Sequence, residues 1–317
     1  MNRKRIAVIA TSNSMGVMPQ DLIDIGLVKL NVLGFDVVFG KNVNNNYFGI
    51  AGLREDRLAD LNWALNANDI DIVMPVFGGY NCAELLDGVD YSAIKEKMVV
   101  GYSDITSLIN DIYARTGRTA YHGPGFAKFC DPNISEETVQ SFMQAVNGDH
   151  NTLISAPEKM SSDLWFIKKN YGPREWRSHP TMKALCKGRA QGKLVGGTME
   201  TLLSLNATPY QVNYDDKVLL LETSYKTSVS IFKQWMTQFS QQGVFDRVAG
   251  VVFGTFSLCS ELAEEQILEK VLSEYFCAYD KPVAMHLPSS HADPIYTLPI
   301  GGDVELYSGD LAWLKII

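Results

Sequence analysis

The sequence predicts an α/β protein with two domains. Short runs rich in β-branched residues alternate with segments of helical periodicity, which is typical of βαβ units and of a parallel sheet covered on both faces. This alternation occurs twice, on either side of a proline-containing stretch in which the pattern weakens. The chain has 317 residues, of which 46% are hydrophobic and 20% charged, and this suits two globular domains with sizeable cores.

The first half of the sequence predicts a series of strands and helices in alternation. The first helix ends at Gly34, and the second carries Leu58, Leu61 and Leu65 at helical intervals. We expect strands at 5–10, 35–39, 71–77, 98–101 and 118–122, and helices at 19–33, 54–67, 104–116 and 135–147. Ligands of such a sheet collect beyond the carboxyl ends of the strands.

A second α/β pattern follows the proline-containing stretch. We expect strands at 192–197, 217–221, 249–253, 283–286 and around 295–317, and helices at 198–205, 228–242 and 263–275. The predicted domains are therefore an N-terminal parallel-sheet domain at 1–148, a connection with loop character at 149–189, and a smaller C-terminal domain at 190–317.

Charge and cysteine content exclude several classes of protein. Lys and Arg number 28 against 36 Asp and Glu, and a net charge of −8 disfavours binding to nucleic acid or to anionic lipid. The five cysteines form no C-x-x-C pair, so neither a disulfide framework nor a thiolate zinc site is indicated. The apolar run 6–10 is too short for the core of a signal peptide, and no stretch approaches the ~20 apolar residues of a membrane span. We expect a soluble, cytoplasmic protein.

Ser103 is a candidate nucleophile. The strand at 98–101 turns sharply at Gly101 and enters a helix, so the serine lies at a strand–turn–helix junction like a nucleophile elbow, although the sequence is G-Y-S-D. The N–H of Asp104 then points towards a developing oxyanion. The alternative is that Ser103 only caps the helix.

Gly78 and Gly79 follow the third predicted strand and allow the backbone to approach a ligand closely. Their N–H groups are candidate anion or oxyanion donors, whereas a tight turn is the simpler interpretation. The loop lacks G-x-G-x-x-G and a P-loop lysine, which disfavours a nucleotide-phosphate site. Cys82 in this loop is interpreted as a small packed residue.

A serine hydrolase also needs a base and an acid that orients the base. His291 lies in a loop, which suits a base, whereas His122 and His286 end strands, and His150 and His179 fall in the connection. Glu222 ends an all-apolar strand, where a carboxylate is costly to bury without a partner. Metal hydrolysis is the competing chemistry, but the nearest ligand pair is His291 and Asp293, so no metal or other cofactor is predicted.

Five motifs occur in one order along the chain: GGYNCAELL, GYSDIT followed by YHGP, GKLVGGTMETL, LLLETS and HADPIYTLPIG. In this the sequence resembles the serine LD-carboxypeptidase family, which also contains the microcin C self-immunity proteins. The resemblance implies a Ser-Glu-His triad formed by Ser103, Glu222 and His291. It also implies oxyanion donors at Asp104 and at Gly79 or Gly78, an active site at the interface of the N-terminal domain and a barrel-like C-terminal domain, and a homodimer.

Two substrate classes follow from the resemblance. One branch removes a terminal D-amino acid from a murein tetrapeptide, and the immunity branch cleaves an amide-type bond between an aspartate and a modified nucleotide. HADP before TLPIG and the long tryptophan-bearing connection look more like the immunity branch, in which a tryptophan stacks on the nucleobase. Trp165 and Trp176 are candidates for that contact, with packing as the alternative for each. Arg174, Arg177 or Lys168 could hold a substrate carboxylate. A catalytically silent binding protein on the same fold is the remaining alternative.

Overall fold

The computed structural model describes residues 3–94, 97–149, 151–276 and 278–317. Within these ranges the chain forms two compact units, one ending at Ile134 and the other running from Ser135 to Ile317. None of the helices in the described ranges has the length and apolar character needed to cross a membrane. His150 and Cys277, both considered from the sequence, lie outside the described residues.

The first unit is a parallel α/β domain, as predicted. Its strands lie side by side in the order β5-β4-β3-β1-β2, and every neighbouring pair is parallel. Because parallel neighbours require crossover connections, a helix or a helical turn lies between successive strands. The elements are β1 (Lys4–Ile9), α1 (Gln20–Val32), β2 (Phe35–Phe39), α2 (Arg54–Asn66), β3 (Ile72–Pro75), β4 (Met98–Gly101), α3 (Thr106–Thr116), β5 (Ala120–His122) and α4 (Phe126–Phe129).

The second unit contains a mixed sheet in the order β6-β16-β15-β10-β11-β12-β13-β9. Neighbouring strands from β10 to β13 pair in parallel. Strands β11, β12 and β13 are buried along their whole length, which explains their apolar runs. The elements are α5 (Glu136–Asn147), β6 (Leu153–Ile154), β7 (Lys159–Met160), β8 (Arg177–Ser178), β9 (Lys183–Cys186), β10 (Gly188–Thr198), α6 (Met199–Ser204), β11 (Val218–Glu222), α7 (Val229–Gln241), α8 (Val244–Arg247), β12 (Gly250–Gly254), α9 (Glu265–Phe276), β13 (Val283–Leu287), β14 (Leu298–Ile300), β15 (Asp303–Ser308) and β16 (Trp313–Ile316).

Strand β10 is where this sheet changes direction. Its first half pairs antiparallel with β15, and its second half pairs parallel with β11. The sheet curls, since Ser308 at the end of β15 donates a hydrogen bond of 2.8 Å to the carbonyl of Val283 in β13, four positions away in the strand order. The parallel half of β10 places Thr198 directly opposite Glu222, at the carboxyl ends of both strands.

The division between the units differs from the predicted boundary at 148/149, and the C-terminal unit is the longer one rather than the smaller one. Helix α5 belongs to the second unit because Ser135 and Thr138 both donate hydroxyl hydrogen bonds to the carboxylate of Asp293. Ser141 on the same helix accepts a hydrogen bond of 2.9 Å from the N–H of Thr297. These polar contacts span more than 150 residues of sequence, so periodicity could not indicate them.

The predicted connection is also part of the second unit. Strand β6 pairs with β16, β9 pairs with β13, and β7 pairs with β8. These strands are only two to four residues long, so they carry too little alternation for sequence analysis to recognise.

Gly196 offers a direct test of the β10–β11 register. It has a φ of +116°, and a Cβ placed on it would lie 2.1 Å from the carbonyl oxygen of Leu220 in the neighbouring strand. We therefore expect Gly196→Ala to lower the free energy of unfolding by about 2–4 kcal/mol, because both the backbone conformation and the strand spacing are violated.

The measurement is urea-induced unfolding followed by circular dichroism. Gly172→Ala is the matched control, since a Cβ at Gly172 meets no atom within 4 Å and its φ of −56° suits alanine. Equal stability of the two variants would contradict this account of the register.

Candidate active site

Ser103 lies in a strained turn at the carboxyl end of β4. Its φ is +63°, in the left-handed region that a residue with a Cβ rarely adopts. The alternative that it caps the helix is not observed: Tyr102 occupies the cap position of the short turn Ser103–Ile105, and Ile105 that of α3. A strained, half-buried serine between strand and helix is the geometry of a nucleophile elbow.

The double-glycine loop lies against this turn. A Cβ added to Gly78 would lie 2.9 Å from both Cβ and Oγ of Ser103 and 3.1 Å from the backbone nitrogen of Asp104. A Cβ on Gly79 would lie 2.7 Å from Cβ of Ser12. Glycine is therefore required at both positions, and the backbone of the loop approaches the serine hydroxyl and the Asp104 N–H closely.

The carboxylate of Asp104 joins the loop to the serine turn. It is buried and accepts hydrogen bonds from the hydroxyl of Ser12 and, at 2.9 Å, from the N–H of Cys82. Ser12 in turn accepts the N–H of Asn81 at 2.9 Å. Burial raises the pKa of Asp104, although these hydrogen bonds oppose the shift. Sequence reasoning used only the backbone of Asp104, since the partners of its side chain come from distant segments.

Glu222 and His291 form a buried pair in the second unit. His291 Nδ1 lies 2.8 Å from Glu222 Oε2, and both side chains are almost inaccessible to solvent. A carboxylate only accepts, so the proton resides on Nδ1 and the lone pair of the neutral ring is on Nε2. Thr198 donates its hydroxyl to Glu222 Oε1 rather than capping α6. The arrangement can orient an imidazole as a general base.

The loop that carries His291 is anchored two residues later. The buried carboxylate of Asp293 accepts hydrogen bonds from Ser135 and Thr138 and lies 3.1 Å from Nη1 of Arg174. Its backbone exchanges two hydrogen bonds of 2.7 Å with Ser161. The base is therefore held by a loop with few conformational options, which preserves the direction of the imidazole.

The three predicted substrate-binding residues have different environments. Arg174 is 6% exposed and forms ion pairs with Asp163 and Asp293, so its charge is already compensated within the second unit. Trp165 is also 6% exposed and packs against Tyr171. Trp176 is 38% exposed and lines an open pocket of about 640 Å³, so it is the tryptophan of the two that is accessible to a ligand.

His122, His179, His286 and Cys82 are interior groups. His122 is fully buried, with its ring edge-on to that of Tyr102. His179 and His286 are buried, and burial lowers the pKa of each to about 4. Burial and the nearby Asp104 charge raise the pKa of the Cys82 thiol to about 12, so the nucleophilic thiolate is not available there. In the part of the chain that the structure describes, no three His, Cys, Asp or Glu side chains are grouped to hold a metal ion.

Comparison with known proteins identifies the family. The LD-carboxypeptidase N-terminal domain matches residues 6–123, and the LD-carboxypeptidase C-terminal domain matches residues 191–306. Together these matches cover well over half of the chain. The chain belongs to the LD-carboxypeptidase family. Both the family and the two-domain α/β architecture predicted from the sequence are thus confirmed, and the family name implies a hydrolase.

Relatives of two kinds are similar over nearly the whole chain. The microcin C7 self-immunity protein MccF of Escherichia coli is 28% identical over 287 residues, covering 87% of this chain and 82% of that protein. The murein tetrapeptide carboxypeptidase of Pseudomonas aeruginosa is 26% identical over 322 residues, covering 98% and 95%.

Solved structures of MccF and of an MccF-like protein are also similar to this chain over its whole length. The crystal structure of an MccF-like protein from Bacillus anthracis matches with a TM-score of 0.93 at 29% identity, covering 100% of this chain and 97% of that chain. A structure of MccF in complex with aspartyl sulfamoyl adenosine matches with a TM-score of 0.90 at 24% identity and the same coverage, which shows a shared fold.

The burial of the thiols predicts selective alkylation. With iodoacetamide at pH 8, we expect the exposed Cys259 to be modified in the folded protein, whereas Cys82 and Cys130 react only after denaturation. Both buried thiols have a pKa raised to about 12 by burial, so access and thiolate formation are both suppressed. Peptide mass spectrometry gives the readout, and rapid modification of Cys82 in the folded state would contradict the prediction.

The two neutral histidines predict a pH dependence of stability. In the unfolded chain His179 and His286 titrate near pH 6.5, whereas in the folded protein their pKa values are about 4. Between these values the unfolded state binds more protons. The free energy of unfolding therefore falls as the pH falls through this range, by up to about 1.4 kcal/mol per pH unit for each histidine.

Denaturant unfolding between pH 4 and 7 measures this slope. His286→Asn is the informative variant, because asparagine tolerates the φ of +68° at this position but does not titrate. We expect its slope to be smaller by the contribution of one histidine, and an unchanged slope would refute the assignment.

Proposed function

We propose that the protein is a serine hydrolase in which Ser103, His291 and Glu222 act as nucleophile, general base and orienting acid. The observation that carries this proposal is the buried 2.8 Å hydrogen bond from His291 Nδ1–H to Glu222 Oε2, which leaves Nε2 as the basic nitrogen. The turn at Ser103 supports the assignment of the nucleophile. A φ of +63° is unfavourable for a serine, and strained backbone of this kind is concentrated at active sites. A silent binding protein would have no need for either feature.

The reaction proposed is acyl transfer from an amide-type bond to the serine and then to water. His291 Nε2 accepts the proton of Ser103 Oγ as the oxygen attacks the carbonyl carbon, while Glu222 stabilises the imidazolium that forms. The imidazolium then donates this proton to the leaving nitrogen as the carbon–nitrogen bond breaks. A water molecule, deprotonated by His291, attacks the acyl-enzyme and releases the acid and Ser103.

The oxyanion of the tetrahedral intermediate is assigned to the N–H of Asp104 and to an N–H of the double-glycine loop, at Gly79 or Gly78. The close approach of Gly78 to Ser103 and to the Asp104 nitrogen supports this assignment. A donor of this kind is typically worth about 10²–10³ in rate. The carboxylate of Asp104 contributes by accepting the N–H of Cys82, which fixes the double-glycine loop relative to the serine turn.

We further propose that the substrate is an acidic aminoacyl group joined through an amide-type bond to a nucleotide analogue. Similarity to MccF supports this choice, as does Trp176, whose exposed ring could stack on a nucleobase. The alternative substrate is a murein tetrapeptide ending in D-Ala. The similarity to the murein tetrapeptide carboxypeptidase supports that alternative over nearly the same length of chain.

A paired hydrolysis assay tests the chemistry and the substrate together. Aspartyl sulfamoyl adenosine and a murein tetrapeptide ending in D-Ala are each incubated with the wild type and with Ser103→Ala, and the products are identified by mass spectrometry. We expect the wild type to cleave the nucleoside, and the variant to be slower by about 10⁴- to 10⁶-fold because the nucleophile is lost.

Ser273→Ala is the control, since Ser273 is an exposed serine on α9. Cleavage of the tetrapeptide alone would assign the protein to murein processing. Wild-type rates in Ser103→Ala would refute the serine mechanism, and loss of activity with a chelator would favour a metal hydrolase. Stoichiometric modification of Ser103 by a serine-directed acylating agent separates an enzyme from a silent binding protein.

A further inference from the structure

Glu200 lies beside the Glu222–His291 pair and has no place in the mechanism above. Thr198 and Glu222 are opposite each other at the ends of the neighbouring strands β10 and β11. Glu200 follows Thr198 by two residues, in the first turn of α6. The side chain of Ser224, two residues after Glu222, is close enough to Glu200 to lower the pKa of its carboxyl group. Electrostatic interactions link Glu200 with both Glu222 and His291. A second carboxyl group is therefore present beside the proposed base.

One oxygen of this carboxyl group has no partner. Glu200 Oε2 is buried and accepts no hydrogen bond from any of the described residues. Burial raises the pKa of Glu200, and the negative charge of nearby Glu222 raises it further. A buried carboxylate without a full set of donors is costly, and a like charge beside it adds to that cost.

A cation at this position would remove both penalties. An ammonium group has three N–H donors, so it can bond to Oε2 and at the same time offset the repulsion between the two carboxylates. Anionic and apolar groups do neither. The chemistry of the position therefore favours a positively charged part of a ligand.

We propose that Glu200 is a specificity-determining residue that binds a primary ammonium group next to the scissile carbonyl of the substrate. This inference rests on the proposed function, because it assumes that His291 acts on that carbonyl. It narrows the substrate class to aminoacyl compounds with a free α-amino group. In a peptide substrate the corresponding nitrogen is acylated and carries no charge, so Glu200 discriminates against it.

The experiment compares aspartyl sulfamoyl adenosine with its Nα-acetyl derivative, which has the same scissile bond and leaving group but no ammonium. We expect the wild type to have a kcat/KM about 10- to 100-fold higher for the free amine, the value of one hydrogen-bonded charge pair. Glu200→Gln is similar in shape but cannot carry the charge, so we expect this preference to shrink to within about twofold of unity.

Two further variants keep the result interpretable. Glu200→Asp retains the charge and is expected to retain part of the preference. Glu264→Gln is the matched control, since Glu264 is exposed and lies in the same unit. Its preference is expected to equal that of the wild type. Thermal unfolding of each variant, with Glu200→Asp as the conservative comparison, separates misfolding from loss of recognition.

The possible results are distinct. Hydrolysis of both compounds at equal rates by the wild type would overturn the role of Glu200 while leaving the serine mechanism intact. An equal loss for both compounds in Glu200→Gln, with a shifted pH profile, would make Glu200 a positioning residue for His291 and would also overturn the inference. If the wild type cleaves neither compound, the proposed substrate fails, and the inference fails with it.

Discussion

The hydrogen bond between Glu222 and His291 determines how the second unit has to be built. A carboxylate that is 1% exposed must have strong donors, and here these are the imidazole N–H on one oxygen and the Thr198 hydroxyl on the other. The first donor requires a loop that returns to the end of β11. The second requires β10 and β11 to be parallel and in register, so that Thr198 and Glu222 lie opposite each other.

Each requirement has its own structural support. The register depends on glycine at position 196, where the neighbouring strand leaves no room for a Cβ. The loop depends on Asp293. Its buried carboxylate accepts hydrogen bonds from the hydroxyls of Ser135 and Thr138 and forms an ion pair with Arg174. Arg174 is thus needed to balance a buried charge, since an unpaired Asp293 would be strongly destabilising. The ion pair that Arg174 forms with Asp293 therefore helps to hold the loop of His291 in place.

In the first unit, a strained backbone rather than a buried charge needs support from the surrounding residues. A serine with positive φ stores strain, and such a conformation persists only where the surrounding contacts determine it fully. Asp104 provides these contacts, because its carboxylate binds both the segment after β1 through Ser12 and the loop after β3 through Cys82. The turn that carries the candidate nucleophile and the loop that carries the candidate oxyanion donors are thereby held by one buried side chain.

The sequence alone determined the α/β class, the positions of the main strands and helices, and the family, because apolar runs, helical spacing and five ordered motifs are local properties of the chain. It also singled out Ser103 at a strand–turn–helix junction, Glu222 at the end of an apolar strand and His291 in a loop. Tertiary structure alone decided that α5 and residues 149–189 join the second unit, that Arg174 and Trp165 are buried, and that Glu200 lies beside the base. Those outcomes depend on partners far away in sequence, and burial and pairing of polar groups are set by such partners rather than by neighbours along the chain.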